Sequence, residues 1–207
     1  KKAQGLTTRK QVEDYFIQRM ADTVLQMHNK IMAWDEIATA TLPADSTIVC
    51  WWRQEKPETL AMALGKGYSV LLCPRLPFYF DFVQDSSHKV GRRWKNDGFN
   101  TLQRVYDFNS ASFPATHGHE SQILGVQACL WSETIHSGSR LDFLLFPRIS
   151  ALAESAWTAP AKRNYQLFKA RLKAQLPLYA KDGLYYFDIL APGRHPEPGK
   201  AAAAHID

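Results

Sequence analysis

The stretch Gly125-Val126-Gln127-Ala128-Cys129-Leu130-Trp131-Ser132-Glu133 is an apolar run that ends on a tryptophan and an acid. Similar runs that end on a tryptophan, an acid or both occur earlier, at residues 30–36, 47–52 and 69–81. Indole rings stack on the apolar face of a pyranose, and carboxylates accept hydrogen bonds from its hydroxyls. The pattern therefore predicts a sugar-binding site at the C-terminal ends of β-strands, which is where a (β/α) barrel has its active site.

Hydrophobic periodicity predicts that helices and strands alternate along the chain. We expect strands over residues 30–37, 47–53, 68–73 and 123–130, and helices over residues 8–29, 58–65, 99–108, 141–157 and 161–179. A long polar segment, residues 84–96, is expected to be a surface loop. The alternation favours a parallel sheet with right-handed crossovers. Because a closed barrel has eight strands in about 250 residues, the sequence predicts an α/β fold equal to half of a barrel.

The composition is that of an ordinary globular protein, with 207 residues, 45% hydrophobic and 22% charged. One domain is expected at this length. The net charge is +5, but lysine and arginine are scattered, so we expect no nucleic acid partner. The apolar runs are far shorter than the ~20 residues of a membrane span, so we expect none. No cofactor is expected.

The metal-binding residue types do not show a convincing ligand pattern. Cys50, Cys73 and Cys129 fall within or at the end of predicted strands and are expected to be free, buried thiols. The His-Gly-His-Glu stretch at residues 117–120 lies in a predicted loop without a third ligand set. A solvated loop is therefore expected there, and no metal site is predicted. The cellular compartment stays open.

Residues 125–133 and 146–157 closely resemble the end of the catalytic barrel in β-N-acetylhexosaminidases of glycoside hydrolase family 20. Three further landmarks are similar to the same family in the same order, at residues 34–36, 47–52 and 79–81. The resemblance covers roughly residues 6 to 190. It implies strands five to eight, the C-terminal half, of a TIM (β/α)8 barrel.

The resemblance also implies a division of the chain. Residues 1–190 would form the C-terminal part of the catalytic barrel, and residues 191–207 would form a coil tail. The alanine run at residues 201–204 has no structural logic and is interpreted as a cloning remnant or a frayed tail.

In the family that this chain resembles, the substrate's own 2-acetamido oxygen attacks the anomeric carbon and gives an oxazolinium intermediate with net retention. An Asp-Glu pair after a His and two glycines orients the acetamido group and protonates the leaving oxygen. No such stretch occurs in this sequence, and the pair Asp35-Glu36 follows Trp34 at the strand-five position instead. The resemblance implies that the catalytic pair and the family's strand-one arginine lie outside this chain. We therefore expect the chain alone to be inactive.

The remaining pocket residues follow from the resemblance. Tyr79 is similar to the tyrosine whose hydroxyl bonds the acetamido carbonyl and stabilises the charge that develops there. Trp34, Trp52 and Trp131 are similar to the walls that pack on the acetamido methyl and on the sugar face.

Two carboxylates and one loop tryptophan complete the implied site. Asp81 and Glu133 are similar to the residues that bind hydroxyls of the non-reducing sugar. Trp94, in the long loop, is a candidate platform for the next sugar. The expected partners are amino-sugar glycans or chito-oligosaccharides, together with the missing N-terminal half of the barrel.

Two classes of function remain open: a hydrolase that needs its other half, and a non-catalytic sugar-binding or structural fragment. A third interpretation, a self-contained retaining glycosidase using Glu36 and Glu133, requires carboxyl groups ~5–5.5 Å apart. Strands five and eight of a barrel are not neighbours, which disfavours it. Unpaired strand edges also predict self-association.

Other conspicuous residues are predicted to be structural. Trp51 points away from Trp52 on a strand of period two, which indicates packing. Arg148 and Glu154 lie on the last predicted barrel helix and are expected to form a structural pair. Glu36 could support a neighbouring side chain as easily as contact a ligand.

Overall fold

A computed structural model describes residues 4–93 and 98–199 of the chain. The chain divides into two compact units. Unit 1 comprises the residues up to 74 together with 110–126, and unit 2 comprises residues 75–109 and those from 127 onward.

Unit 1 is built on a four-stranded parallel sheet in which the strands follow sequence order. The strands are β1 (Ile31–Trp34), β2 (Thr47–Trp51), β3 (Ser69–Leu72) and β4 (Ile123–Val126). The predicted parallel order is confirmed, although every strand is shorter than expected. Strand β4 stops well before residue 130, and its pairing with β3 is already irregular between Val70 and Leu71.

Two helices of unit 1 have clear start signals in the sequence. Helix α1 (Arg9–Gln26) begins with a capping box, in which the Thr8 hydroxyl accepts from the Gln11 amide and Gln11 Oε1 accepts from the Thr8 amide. Helix α2 (Pro57–Gly65) has proline at its first position, where no intrahelical N–H bond is lost. Helix α1 is therefore capped by side chains, whereas α2 has no side-chain cap and only lacks one N–H that would need a partner.

The core of unit 1 confirms the packing role of Trp51. Its side chain is fully buried, and its ring meets Phe113 edge-on at 4.9 Å between centroids. The buried Tyr68 hydroxyl donates to Ala40 O at 2.8 Å and accepts from Leu42 N at 2.9 Å.

One surface of unit 1 is apolar and open. A groove of about 380 Å³ lies between α1 and β1. Among its lining residues, Phe16 is 63% exposed and Met32 is 54% exposed. Strands β1 and β4 are the two edges of the sheet, and Leu124 on β4 is also exposed.

Unit 2 contains the other α-helices of the described residues. They are α3 (Arg75–Phe78), α4 (Leu102–Tyr106), α5 (Gly138–Leu145), α6 (Arg148–Trp157) and α7 (Tyr165–Lys181). The single helix predicted over residues 141–157 is wrong, because Pro147 lacks an N–H and separates α5 from α6. Within the described ranges, no helix has the length and apolar character to cross a membrane.

The two charged residues expected to pair on the last barrel helix have other partners. The Arg148 side chain is fully buried and donates to backbone carbonyls, including Phe82 O at 2.9 Å. Glu154 instead accepts from the Arg171 guanidinium and from the Tyr106 hydroxyl. Arg148 and Glu154 therefore both have structural roles, but the predicted pair between them is not formed.

The segment predicted to be a surface loop is anchored in the core of unit 2. His88 is buried against Phe143 and Phe187, with ring centroids 4.8 and 4.7 Å away. Burial lowers the pKa of His88 to about 4 because the charged imidazolium would lose its hydration. Smaller effects come from charged neighbours, of which Glu197 raises the pKa and Arg148 and Arg140 lower it. The buried Gln84 side chain also donates to Phe143 O, at 2.8 Å.

Candidate functional site

Two segments of unit 2 run side by side and carry four of the predicted site residues. Tyr79 and Cys129 form a parallel bridge. The Phe80 amide donates to Cys129 O at 2.7 Å, and the Cys129 amide donates to Phe78 O at 2.8 Å. This pairing holds the two segments together just before Asp81 in one and Trp131 in the other.

Tyr79 and Trp131 form an aromatic pair next to this bridge. Their ring centroids are 6.1 Å apart and the ring planes are inclined by 55°. Tyr79 is buried, whereas 38% of Trp131 is exposed. An indole held against a buried ring, with one part still open, is a surface suited to stacking on a sugar.

Asp81 and Glu133, each two residues beyond the aromatic pair, are linked through Arg92. The Arg92 Nη2 atom lies 2.6 Å from Glu133 Oε1, and its Nε atom lies 3.5 Å from Asp81 Oδ2. Asp81 is buried, whereas the Glu133 side chain is 59% exposed. No role for Arg92 was predicted from the sequence, since an arginine in a polar loop carries no periodic signal.

The buried Asp81 carboxyl is the least satisfied acceptor of this cluster. Burial raises its pKa, and Glu133 raises it further, while the backbone amides of Asp81 and Trp131 and the Arg92 guanidinium lower it. These two amides do not reach normal hydrogen-bond geometry, so neither carboxyl oxygen has a well-formed hydrogen bond among the described residues. Because buried polar atoms are normally bonded, a ligand hydroxyl is a suitable donor for this group.

Two buried polar side chains hold the backbone on both sides of that carboxylate. Arg148 donates to Phe80 O at 2.5 Å and to Phe82 O at 2.9 Å. The Asn100 amide nitrogen donates to Tyr79 O at 2.8 Å. Since these bonds are buried, they keep the segment of residues 79–82 in one conformation.

Two further predicted aromatic residues, Trp34 and Trp52, belong to unit 1. Trp34 is the last residue of β1, and Trp52 directly follows β2. The Trp52 indole N–H donates to Glu36 Oε2 at 3.5 Å, and the Arg53 guanidinium lies 5.7 Å from the Trp52 ring centroid. Glu36 thus supports a neighbouring side chain, one of the two roles left open by the sequence.

Asp35 is engaged in the structure of unit 1. It is buried, and its carboxylate lies 2.7 Å from Arg53 Nε and accepts from the Thr59 hydroxyl at 3.2 Å. Burial raises the pKa of Asp35, Arg53 lowers it, and the like charge of Glu36 raises it. Both carboxylate oxygens therefore already hold local donors.

The predicted site residues thus fall in both units. Unit 1 holds Trp34 and Trp52, and unit 2 brings together Tyr79, Asp81, Trp131 and Glu133. Trp94 lies outside the described residues. Within the described part of the chain, no group of three or more His, Cys, Asp or Glu side chains could hold a metal ion. The three cysteines are buried thiols, as predicted.

Comparison with known proteins relates this arrangement to one family. Residues 1–160 match the sequence model described as "Glycosyl hydrolase family 20, catalytic domain". The chain is 29% identical over 184 residues to a β-N-acetylhexosaminidase of Cellulomonas fimi, which covers 87% of this chain and 36% of that protein. It is 30% identical over 193 residues to the chitooligosaccharidolytic β-N-acetylglucosaminidase of Ostrinia furnacalis, covering 89% of this chain and 31% of that protein.

A solved structure supports the fold. The family 20 exo-β-N-acetylglucosaminidase from Vibrio harveyi, crystallised with N-acetylglucosamine, superposes with a TM-score of 0.79 at 28% identity. The match covers 90% of this chain and 29% of that one. The predicted α/β fold with a parallel sheet is confirmed as part of such a barrel. The chain spans between about a fifth and about a third of the length of the curated relatives that it matches.

Proposed function

Because the chain belongs to glycosyl hydrolase family 20, we propose that it forms part of a retaining β-N-acetylhexosaminidase. The substrates are terminal β-linked N-acetylglucosamine or N-acetylgalactosamine residues of glycans or chito-oligosaccharides. The observation that carries the proposal is the cluster in unit 2, where a half-open indole lies beside a tyrosine and two carboxylates. An aromatic face and hydroxyl acceptors in one place are what a pyranose requires.

Each residue of the cluster has a role in this proposal. Trp131 packs against the sugar, and the carboxylates of Asp81 and Glu133 accept hydrogen bonds from its hydroxyls. The Tyr79 hydroxyl donates to the acetamido oxygen and so fixes that oxygen for attack on the anomeric carbon. By family resemblance alone, we assign Trp34 and Trp52 to the walls around the acetamido group and Trp94 to a neighbouring sugar.

The reaction is substrate-assisted. The acetamido oxygen forms a bond to the anomeric carbon as the bond to the leaving oxygen breaks, and water then opens the oxazolinium with net retention. A general acid must protonate the leaving oxygen, and a carboxylate must orient the acetamido N–H. Asp35 is bound to Arg53 and Thr59 and is not suited to either task.

We therefore propose that both carboxylates come from the part of the barrel outside this chain. Residues 1–190 are assigned to the catalytic barrel and residues 191–207 to a coil segment after it, in which Glu197 pairs with Arg140 of unit 2. The chain supplies the sugar and acetamido pocket, and its own hydrolytic activity is expected to be negligible. General acid catalysis alone typically contributes about 10²–10⁴-fold to the rate.

A hydrolysis assay tests this proposal. The 207-residue chain and a polypeptide that also carries an upstream His-x-Gly-Gly-Asp-Glu stretch are compared on a chromogenic β-N-acetylglucosaminide. Turnover is expected only with the longer polypeptide. Robust turnover by the chain alone would contradict the proposal that the catalytic carboxylates lie outside it. Glu36 and Glu133 would then again be a candidate catalytic pair. Sugar binding without turnover in either protein would instead favour the non-catalytic carbohydrate-binding alternative.

A further inference from the structure

Arg92 contacts both carboxylates of the proposed sugar site through different nitrogen atoms. Its Nη2 atom approaches Glu133 at 2.6 Å, and its Nε atom approaches Asp81 at 3.5 Å. We propose that Arg92 is a positioning residue, which holds Asp81 and Glu133 at a fixed separation so that both can accept hydrogen bonds from one sugar. This proposal rests on the proposed function.

The shape of the guanidinium suits this role. Its N–H groups are directed in one rigid plane, so that a single side chain can serve two carboxylates in a fixed geometry. A lysine would supply the same charge from a flexible stem, without the planar fork. The role therefore requires arginine in particular, which makes the proposal testable by a conservative substitution.

The backbone of Arg92 is held in place by its own contacts. It forms a parallel bridge with Phe82, and its carbonyl accepts from the Val83 amide at 3.0 Å. Gly91 has a φ of +122°, and a Cβ atom there would lie 2.8 Å from Val83 Cγ1. The close approach of the two segments at this point therefore depends on glycine.

A buried ion pair fixes the chain just before Gly91. Arg140 Nη1 lies 2.7 Å from Glu197 Oε1, and the Arg140 side chain is completely buried. Glu197 accepts from the amides of Lys89 and Val90, and Arg140 Nη2 donates to Val90 O at 2.6 Å. The loop therefore presents Arg92 from a rigid base.

Electrostatics gives Arg92 a second task. Asp81 is buried and faces the like charge of Glu133, and both effects favour its neutral form. The charged groups that act on it from the surrounding segments are Arg92, Glu133 and, on α6, Arg148. Since Arg92 is the cation paired directly with Asp81, removing it should shift this carboxyl toward its protonated form.

Carbon-13 NMR of the 207-residue chain tests the positioning role without any sugar. In Arg92→Met, we expect the pKa of Asp81 to rise above its wild-type value and the Glu133 side chain to lose order in relaxation measurements. In Arg92→Lys, the charge should largely restore the Asp81 titration, but the order of Glu133 should not return. Arg104→Met, which removes an exposed arginine of α4, is the matched control and should change neither.

Two results would overturn the proposal. The first is that Arg92→Met leaves both the Asp81 titration and the order of the Glu133 side chain unchanged. The second is that Arg92→Lys matches the wild type in both measurements. A parallel titration of the longer polypeptide with N-acetylglucosamine separates this proposal from the proposed function. There Arg92→Met should weaken binding about tenfold, the typical effect of losing one charge-assisted hydrogen bond between the sugar and a displaced carboxylate. A wild type that binds no sugar would contradict the proposed function, while the NMR result would still decide the role of Arg92.

Discussion

Replacing Arg148 with methionine should destabilise unit 2 by about 4 kcal/mol, because four buried backbone carbonyls lose their donor. The guanidinium donates to the carbonyls of Phe80, Phe82, Asn100 and Leu144 over 2.5 to 3.1 Å. Each buried carbonyl that loses its donor costs about 1–3 kcal/mol, partly recovered by relaxation. A buried charged group can be replaced by an apolar one at little cost when its partners are also made apolar. The partners of Arg148 are backbone carbonyls, which no substitution removes.

Urea unfolding of the 207-residue chain, followed by near-UV circular dichroism, measures this loss. Arg171→Met is the matched control, because that arginine is exposed and pairs with Glu154 at the surface. It should leave the free energy of unfolding nearly unchanged. If Arg148→Met costs less than about 1 kcal/mol, the four carbonyls do not depend on the guanidinium and the reasoning fails.

Three further predictions concern pH, association and turnover. Because the pKa of His88 is lowered from 6.5 to about 4, the neutral imidazole contributes fully to stability above pH 6.5. As the pH falls from 6.5 to 4, the free energy of unfolding should decrease by up to about 3 kcal/mol. The variant His88→Phe should flatten this pH dependence in unfolding titrations. Met32→Lys on the β1 edge should reduce self-association of the chain in light scattering, and a monodisperse wild type would contradict this prediction. In the longer polypeptide, Tyr79→Phe should mainly lower kcat, whereas Glu133→Gln should mainly raise KM. If either variant changes kcat and KM equally, the role assigned to that residue is contradicted.

The sequence predicted the strand order, which depends on local patterns. The roles of the site residues follow from the family resemblance and stay predictions. Apolar runs mark strands, and Trp131 and Glu133 directly follow such a run. The contacts of Arg148 were not predictable, since its carbonyl partners include Phe82, 66 positions away, and a carbonyl has no sequence signature. His88 was missed for a similar reason, because a histidine in a polar segment does not reveal the aromatic side chains that bury it.

Arg92 shows the same limit at the site itself. A pair of arginines in a polar loop is normally solvated, and only the folded chain brings the first of them to Asp81 and Glu133. The helix over residues 141–157 was wrong for a local reason, since its apolar periodicity outweighed the single proline that divides it.

A crystal structure of the longer polypeptide with N-acetylglucosamine tests the central claim most directly. The claim is that this chain supplies the amino-sugar pocket. We expect the acetamido oxygen within hydrogen-bonding distance of the Tyr79 hydroxyl, the sugar packed on Trp131, and its hydroxyls bound to Asp81 and Glu133. A sugar bound without contact to Tyr79 and to either carboxylate would contradict the account.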